Sequence, residues 1–247
     1  MFAELQTLIL KRLSPRAPAC CDGSFYLNKS KLTVLLGTEF FRNVSGKVII
    51  DFGCGEGNEA IEMAQRGAAF VIGVDVREDV LCAARKSAIV AGVQNTCIFV
   101  RTAEQKADVI VSLDAFEHFS DPAEILCVMA ALLRPRGEVF VSFGPTWYHP
   151  LGGHLFSVFP WAHLIFSEKA LLAWRSAFKS DGATRFSEVA GGLNQITIRI
   201  FEQLVAASPF EIGSLELVPI NKLRIIHNRF TREFTTAIVR CRLIKRA

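Results

Sequence analysis

The run Val48-Ile49-Ile50-Asp51-Phe52-Gly53-Cys54-Gly55-Glu56-Gly57 constrains this chain more than any other stretch. Its apolar start reads as a short strand buried on both faces, the pattern of a parallel sheet. Glycine reaches positive φ without strain and lets the backbone lie flat against a ligand; here three alternate, at Gly53, Gly55 and Gly57. The helix expected from about Gly57 to Arg66 begins with unpaired N–H groups. Strand, glycine turn and helix, in that order, open a nucleotide-type binding sheet.

The remainder follows that opening. Strands are expected at Phe70–Val74, Thr96–Arg101, Asp108–Leu113 and Glu138–Phe143, with helices at Asn58–Arg66, Glu78–Ala91 and from Asp121-Pro122-Ala123-Glu124 onward. In the last of these Asp is placed as N-cap, Pro at the first helical position and Glu two positions later. Five strands with intervening helices argue for a parallel α/β sheet with right-handed crossovers. Two lead-in helices precede it, at residues 2–13 (stripe Phe2, Leu5, Ile9, Leu13) and 31–43. Residues 145–193 break the alternation and hold the apolar run Leu155–Phe166; a helix is expected at Ser167–Phe178. A helix at Asn194–Ala207 and strands near Ser214–Ile220 and Phe234–Ile244 complete the chain. The expected units are a helical lead-in (1–44), a ligand-binding core (45–144), an inserted lid or acceptor segment (145–193) and a C-terminal helix and strand pair completing the core (194–247). A connection as long as 145–193 inside a compact domain is usually functional.

Composition narrows the setting. Half of the 247 residues are apolar (51%), enough for a sizeable core, and no apolar run is long enough to span a bilayer. Met1-Phe2-Ala3-Glu4 places an acid ahead of the basic pair Lys11-Arg12, the reverse of a secretory signal. Seven cysteines, an odd number without metal spacing, point to a reduced, cytoplasmic protein. The adjacent Cys20-Cys21 reads as two ordinary thiols. From Lys222 onward eight basic residues face one acid, Glu233. Such an end suits a solvated face and a final strand, or an anionic partner. It lacks the interleaved aromatics of a single-strand nucleic-acid platform.

Asp75 ends the second strand, 18 residues after Gly57. A carboxylate there can accept hydrogen bonds from both hydroxyls of an adenosine ribose; the plainer reading is a cap for the next helix. A dinucleotide fingerprint requires glycine at position 58, where this chain has Asn58. No basic residue occupies the turn, so an uncharged or zwitterionic adenosine derivative fits better than NAD.

Asp51-Phe52-Gly53-Cys54-Gly55-Glu56-Gly57 resembles the D-x-G-x-G-x-G signature of class I S-adenosylmethionine-dependent methyltransferases. Leu113-Asp114-Ala115-Phe116-Glu117-His118-Phe119 with Asp121-Pro122, and Leu132-Leu133-Arg134-Pro135-Arg136-Gly137-Glu138, are similar to further motifs of the branch containing ubiquinone and menaquinone biosynthesis methyltransferases. The resemblance spans roughly residues 45–145 plus the final helix and strands. It implies a Rossmann-like three-layer α/β sandwich: a seven-stranded, mostly parallel sheet with an antiparallel last strand, plus the inserted lid. It also implies that Gly53, Cys54 and Gly55 pass under the methionine part of S-adenosylmethionine. Asp51 would orient the turn and the cofactor amino group, Asp75 hold the ribose, Val76 pack on adenine, and Asp114–Phe116 line the methyl end. The adenine amine is left to Thr102 or Glu104, with the Ala103 N–H on the ring.

Methyl transfer is an in-line displacement, so the protein mainly aligns the acceptor and excludes water. An oxygen or nitrogen acceptor also needs its proton removed. The candidate bases are His118, His149 and His154, each with a structural alternative; His163 and His227 read as structural. Asp114, Glu117 and His118, with His149 or His154, sketch a divalent-metal set, but strand-end and helix-start polar residues explain them better, and no metal is expected. The expected activity is methylation of a small apolar or aromatic acceptor, at oxygen before nitrogen or carbon. A nicotinamide oxidoreductase and a non-catalytic cofactor-binding regulator are the alternatives. Nucleic acid is disfavoured, because Asp114-Ala115-Phe116 lacks the prolines of a base-amine methyltransferase motif. The run Leu155–Phe166 suits a lid, an acceptor pocket or peripheral contact with a membrane.

Overall fold

The structure, a computed structural model, describes residues 2–15, 29–189 and 192–246. Cys20-Cys21 lies outside the described residues. In chain order the elements are α1 (Phe2–Leu13), α2 (Lys31–Leu36), α3 (Phe40–Val44), β1 (Val48–Phe52), α4 (Asn58–Gln65), β2 (Phe70–Val74), α5 (Glu78–Val90), β3 (Cys97–Val100), β4 (Ala107–Leu113), α6 (Pro122–Leu132) and β5 (Leu133–Phe143). Then follow α7 (Ala162–Ile165), α8 (Glu168–Arg175), α9 (Ile198–Ala206), β6 (Phe210–Pro219), α10 (Arg232–Thr235) and β7 (Thr236–Lys245).

The strands form one seven-stranded sheet in the order β3-β2-β1-β4-β5-β7-β6. Strands β1 to β5 pair in parallel, and β7 runs antiparallel to both β5 and β6. This is the expected mixed sheet with an antiparallel last strand. Strand alternation explains why both faces are covered: Ile49 joins a core with α2 to α5, while its neighbour Ile50 joins one with α6 and α9. Strand order reverses between β1 and β4, and ligands of open α/β sheets bind in the crevice beyond such a switch point. The turn after β1 and the loop after β4 both open there.

A third apolar cluster stands apart from the sheet: Leu10 of α1, Phe156, Phe186, Leu193, and Leu171 and Trp174 of α8. Gln6 Oε1 accepts the Ser167 N–H (3.2 Å) and hydroxyl (2.7 Å), and Trp174 Nε1–H donates to Ser14 O (2.9 Å). The greasy run Leu155–Phe166 therefore turns largely inward. Phe156, Ala162 and His163 are buried, and Leu164 and Ile165 are its exposed apolar side chains. Truncating Phe156 or Trp174 in such a core costs about 3–5 kcal/mol, so this is a built unit and not a loose loop.

Several boundaries differ from the sequence expectation. The helix at 31–43 is broken at Gly37, whose φ of +80° ends α2 before a turn into α3. Strand β5 begins five residues early, at Leu133, because Pro135-Arg136-Gly137 forms a bulge: the pairing jumps from Ala107↔Leu133 to Val109↔Glu138, and Arg136 has φ +63°. Helix α9 starts at Ile198, capped by Thr197, which accepts the Ile200 N–H at 3.1 Å, and by Glu233, which takes the N–H groups of Ile198 and Arg199. The expected cap of α6 is present, with Asp121 Oδ1 accepting the Glu124 N–H at 2.9 Å. No helix among the described residues is long and apolar enough to cross a membrane.

Candidate functional site

The glycine turn is held down by the neighbouring strand. The N–H groups of Gly53 and Cys54 both donate to Val74 O at the end of β2 (2.8 and 3.0 Å). Gly53 has φ +84°, and a Cβ there would sit 2.6 Å from the Ala115 Cβ, so this position is closed to any side chain. Cys54 contributes shape only: its thiol is buried and its carbonyl accepts the Gly57 N–H at 2.9 Å. Burial, ahead of the Asp51 and Asp75 charges, pushes that thiol far up, which keeps it protonated.

Two carboxylates flank the turn. Asp51, the fourth residue of β1, is buried, and its Oδ2 has no hydrogen-bond partner. Burial first, then the nearby Glu59, raises its carboxyl to about 8, against the opposing pull of Lys31 and the Ala60 N–H. Asp75 ends β2 and is saturated. It takes the Gly55 N–H (3.1 Å) and the Arg77 N–H (3.0 Å), and the Arg77 guanidinium bridges both its oxygens (3.1 and 3.2 Å). Burial would raise this carboxyl, yet the Arg77 side chain and backbone and Gly55 hold it below the usual range. Beside it Val76 is 76% exposed, a bare apolar platform at the mouth. Thr102, Ala103 and Glu104 lie in the loop after β3; Thr102 and Glu104 are exposed and Ala103 packs against the sheet core.

Lysine 31, which the sequence reading missed, reaches in from α2. Its Nζ lies 3.0 Å from Asp114 Oδ2 and 3.4 Å from Leu113 O. Burial would lower its pKa, but Asp114, Glu59 and Asp51 together hold it above the ordinary lysine value. Asp114 itself has φ +49° and donates its N–H to Ser142 O, which fixes the sharp exit from β4.

The loop after β4 carries His118, one of the expected acceptor bases. His118 Nδ1 lies 2.9 Å from Gly192 O. A carbonyl only accepts, so Nδ1 carries the proton and Nε2 is the basic nitrogen. The His154 ring stands edge-on at 5.5 Å. Burial, then the His118 charge, lowers His154 to about 4, so it is neutral near pH 7. His149 serves a turn: its Nδ1 accepts the Leu151 N–H at 2.9 Å, and burial, then the nearby His163, lowers it to about 4. His163 donates to Trp147 O (2.6 Å) and His227 bonds Thr235 (2.7 Å), both structural arrangements. The metal sketch does not assemble. Asp114 pairs with Lys31 and His118 faces Gly192. Glu117 points into the core, its carboxyl raised to about 8 by burial and then by Asp114. No group of three or more such ligands occurs among the described residues.

A cavity of about 330 Å³ opens beside His118, lined also by Phe119, Glu168, Arg185, Asn194 and Gln195. Phe119 joins it to the glycine turn, because its ring lies 3.9 Å from a Cβ placed on Gly53. The cavity mixes one aromatic wall with charged groups from the inserted segment and the amides of Asn194 and Gln195.

The residue types fit an adenosine sulfonium amino acid. The bare Oδ2 of Asp51 suits an ammonium group, Lys31 a carboxylate, Asp75 a ribose diol and Val76 a base plane. A family model described as a methyltransferase domain matches residues 25–211. The chain is 40% identical over 107 residues to the ubiquinone biosynthesis O-methyltransferase of Neisseria meningitidis serogroup A, covering 40% of this chain and 45% of that protein. The chain thus spans less than half the length of that curated relative. Among solved structures, the magnesium protoporphyrin IX methyltransferase of Synechocystis PCC 6803 with bound SAH superposes with a TM-score of 0.52 at 18% identity, over 86% of this chain and 80% of that one. The [4+2]-cyclase SpnF superposes with a TM-score of 0.55 at 14% identity, over 85% of this chain and 80% of that one. Likeness at these identities shows the shared fold.

Proposed function

The chain belongs to the methyltransferase-domain family, and from that premise we propose that it moves the methyl group of S-adenosylmethionine to an oxygen of a small apolar or aromatic acceptor. The buried, unpartnered Asp51 Oδ2 under the glycine turn carries the reading. A carboxyl there suits the ammonium of the methionyl end, which favours its ionised form, and offers no positive charge to the diphosphate that a nicotinamide dinucleotide would bring. Oxygen is preferred over nitrogen or carbon because the relatives are named O-methyltransferases.

When bound, S-adenosylmethionine supplies a methyl group already activated by its sulfonium. The chain's own residues hold and shield the reactants. Asp75 accepts the ribose hydroxyls after Arg77 swings away, which its exposed side chain permits. Asp51 takes the ammonium and ionises as it does so. Lys31 balances the opposing carboxylate. Among Thr102, Ala103 and Glu104, the loop after β3 supplies the edge contacts to adenine, and Val76 its face. His118, oriented by Gly192 O, takes the acceptor proton through Nε2. His154 keeps the adjoining wall neutral and is a positioning residue; His149 has no part in the chemistry. Residues 145–193 close the acceptor side as a lid, over a core formed by 45–144 and 194–247.

The test is transfer of an isotopically labelled methyl group to a panel of catechols, phenols and hydroquinones with and without alkyl tails. Label on an acceptor oxygen, together with equimolar S-adenosylhomocysteine, is expected. Cofactor binding without label on any acceptor would assign the chain a binding role instead.

A further inference from the structure

The connection between β6 and β7 turns apolar side chains outward. None of its 3-10 helix, Asn221–Ile226, is buried. Ile225 is 99% exposed and Phe230 77%, with Ile226 and Phe234 also exposed. Single exposed apolar residues need no explanation, but such a cluster marks a contact surface.

Its neighbours are cationic. Residues 221–235 hold Lys222, Arg224, Arg229 and Arg232 against Glu233 alone. The acids at this tip are already engaged: Glu233 caps α9, and Glu202 takes the Arg232 guanidinium through both oxygens. Lys222 and Arg224 are exposed and form no ion pair with an acid among the described residues, and the Arg229 guanidinium lies 4.4 Å over the Phe230 ring. The later basic residues differ. Arg240 pairs with Glu216 and Arg242 with Glu138, while Lys245 and Arg246 donate to helix-end carbonyls. The basic excess of the C-terminal region is thus free only at this tip, where it interleaves with hydrocarbon.

A polar anionic partner would leave Ile225 and Phe230 in water, and an apolar one would strand the cations. An interface of anionic head groups over acyl chains satisfies both. We propose that the loop Ile220–Thr235 seats the protein on an anionic lipid bilayer. Its position gives the contact a use. Strand β7 starts beside the end of β5, with Phe143 opposite Val239, so the loop lies at the sheet edge where the glycine turn opens. Phe234 stacks on Tyr148 of the inserted segment at 5.3 Å. An acceptor dissolved in the bilayer would meet the protein at that edge. The surface is separate from the run Leu155–Phe166, whose apolar side chains are largely turned inward. It does not depend on methyl transfer, because binding is read without turnover.

Co-sedimentation with vesicles tests it, comparing phosphatidylcholine alone with an equal mixture of phosphatidylcholine and phosphatidylglycerol. The full chain should sediment with the anionic vesicles and be released by salt. The triple variant Lys222→Glu, Arg224→Glu, Arg229→Glu should bind them at least about a hundredfold more weakly, from roughly fivefold per charge lost. Ile225→Asp with Phe230→Asp should lose binding while S-adenosylhomocysteine affinity and circular dichroism stay unchanged. Equal sedimentation with both vesicle types, none with either, or full binding by either variant would overturn the proposal. So would a wild-type dimer that Ile225→Asp dissociates in analytical ultracentrifugation, which would mean that a second copy covers the loop. Salt-sensitive RNA binding through Lys222, Arg224 and Arg229 in place of vesicle binding would also overturn it.

Discussion

The two sides of the site are built by different means. The proposed cofactor side is mostly backbone: a strand end, a glycine turn and a second strand end, bonded through Val74 O and Gly55 N–H. The proposed acceptor side is assembled from afar. His118 follows β4, its orienting carbonyl belongs to Gly192, and Glu168 and Arg185 come from the inserted segment. The first kind of construction admits no side chain at Gly53, where a Cβ would meet the Ala115 Cβ at 2.6 Å. The second can change its lining residue by residue without disturbing the cradle. One fold can therefore keep a cofactor and exchange acceptors.

If the two sides are separable, variants should divide cleanly between turnover and binding. The largest effect is expected for His118→Ala. Loss of the acceptor base should lower kcat by about 10²–10⁴-fold and leave S-adenosylhomocysteine affinity within about twofold, as read by labelled-methyl kinetics beside calorimetry. A parallel loss of affinity would mean that His118 belongs to the cradle.

Next comes Gly53→Ala. A Cβ 2.6 Å from Ala115 at φ +84° should cost about 1–3 kcal/mol of strain, lowering cofactor affinity about tenfold or more and the melting temperature by several degrees. Unchanged binding would show that the turn can shift, and the contrast between the sides would weaken.

Each side also holds one buried carboxyl raised to about 8, Asp51 below the turn and Glu117 beside Gly144. Both folded values exceed the unfolded ones, so the folded chain holds the extra protons. Their contribution to stability is complete below about pH 4 and is lost as pH rises through about 8, by about 1 kcal/mol per pH unit for each group. Thermal melts from about pH 7 to 8 should show this slope; below about pH 6.5 the partly buried His149 and His154, both lowered to about 4, favour the folded chain as pH rises and oppose it. Saturating S-adenosylhomocysteine should remove the Asp51 share, because the ammonium keeps that carboxyl ionised, and Glu117→Gln should remove the other. A slope untouched by either would separate neither side.

The smallest effect is expected for Arg77→Ala. Its half-exposed guanidinium must leave the buried Asp75 carboxylate before ribose binds, and an ion pair open to solvent on one side is worth about 1 kcal/mol. Affinity should rise by no more than about fivefold. A fall would make Arg77 a cofactor contact.

What the sequence disclosed follows the same division. The strands of the core, the glycine turn and the Asp121 cap were readable because their signals join residues close in sequence or at strand ends of fixed spacing. Lys31 was not, since it meets Asp114 across α2 and four strands of intervening chain. Nor was Arg77, whose pairing with Asp75 is a side-chain choice that no periodicity records. The break at Gly37 is hidden because the apolar positions continue across it, with Leu35 and Phe40 in one core. The early start of β5 is hidden because Leu132-Leu133 continues the helical pattern of α6 into a bulge. Sequence did single out His118, but it could not rank it above His149. That ranking needed Gly192 O on one ring and the Leu151 N–H on the other.

The central claim is that the glycine turn with Asp51 and Asp75 binds an adenosine sulfonium amino acid. Calorimetric titration with S-adenosylhomocysteine, after removal of carried-over cofactor has been checked by mass spectrometry, tests it most directly. Wild-type binding, weakened at least about thirtyfold by Asp75→Ala through loss of two charge-assisted hydrogen bonds, with NAD silent, is the predicted result. Heat released by NAD, or no heat from S-adenosylhomocysteine with the folded wild type, would contradict it.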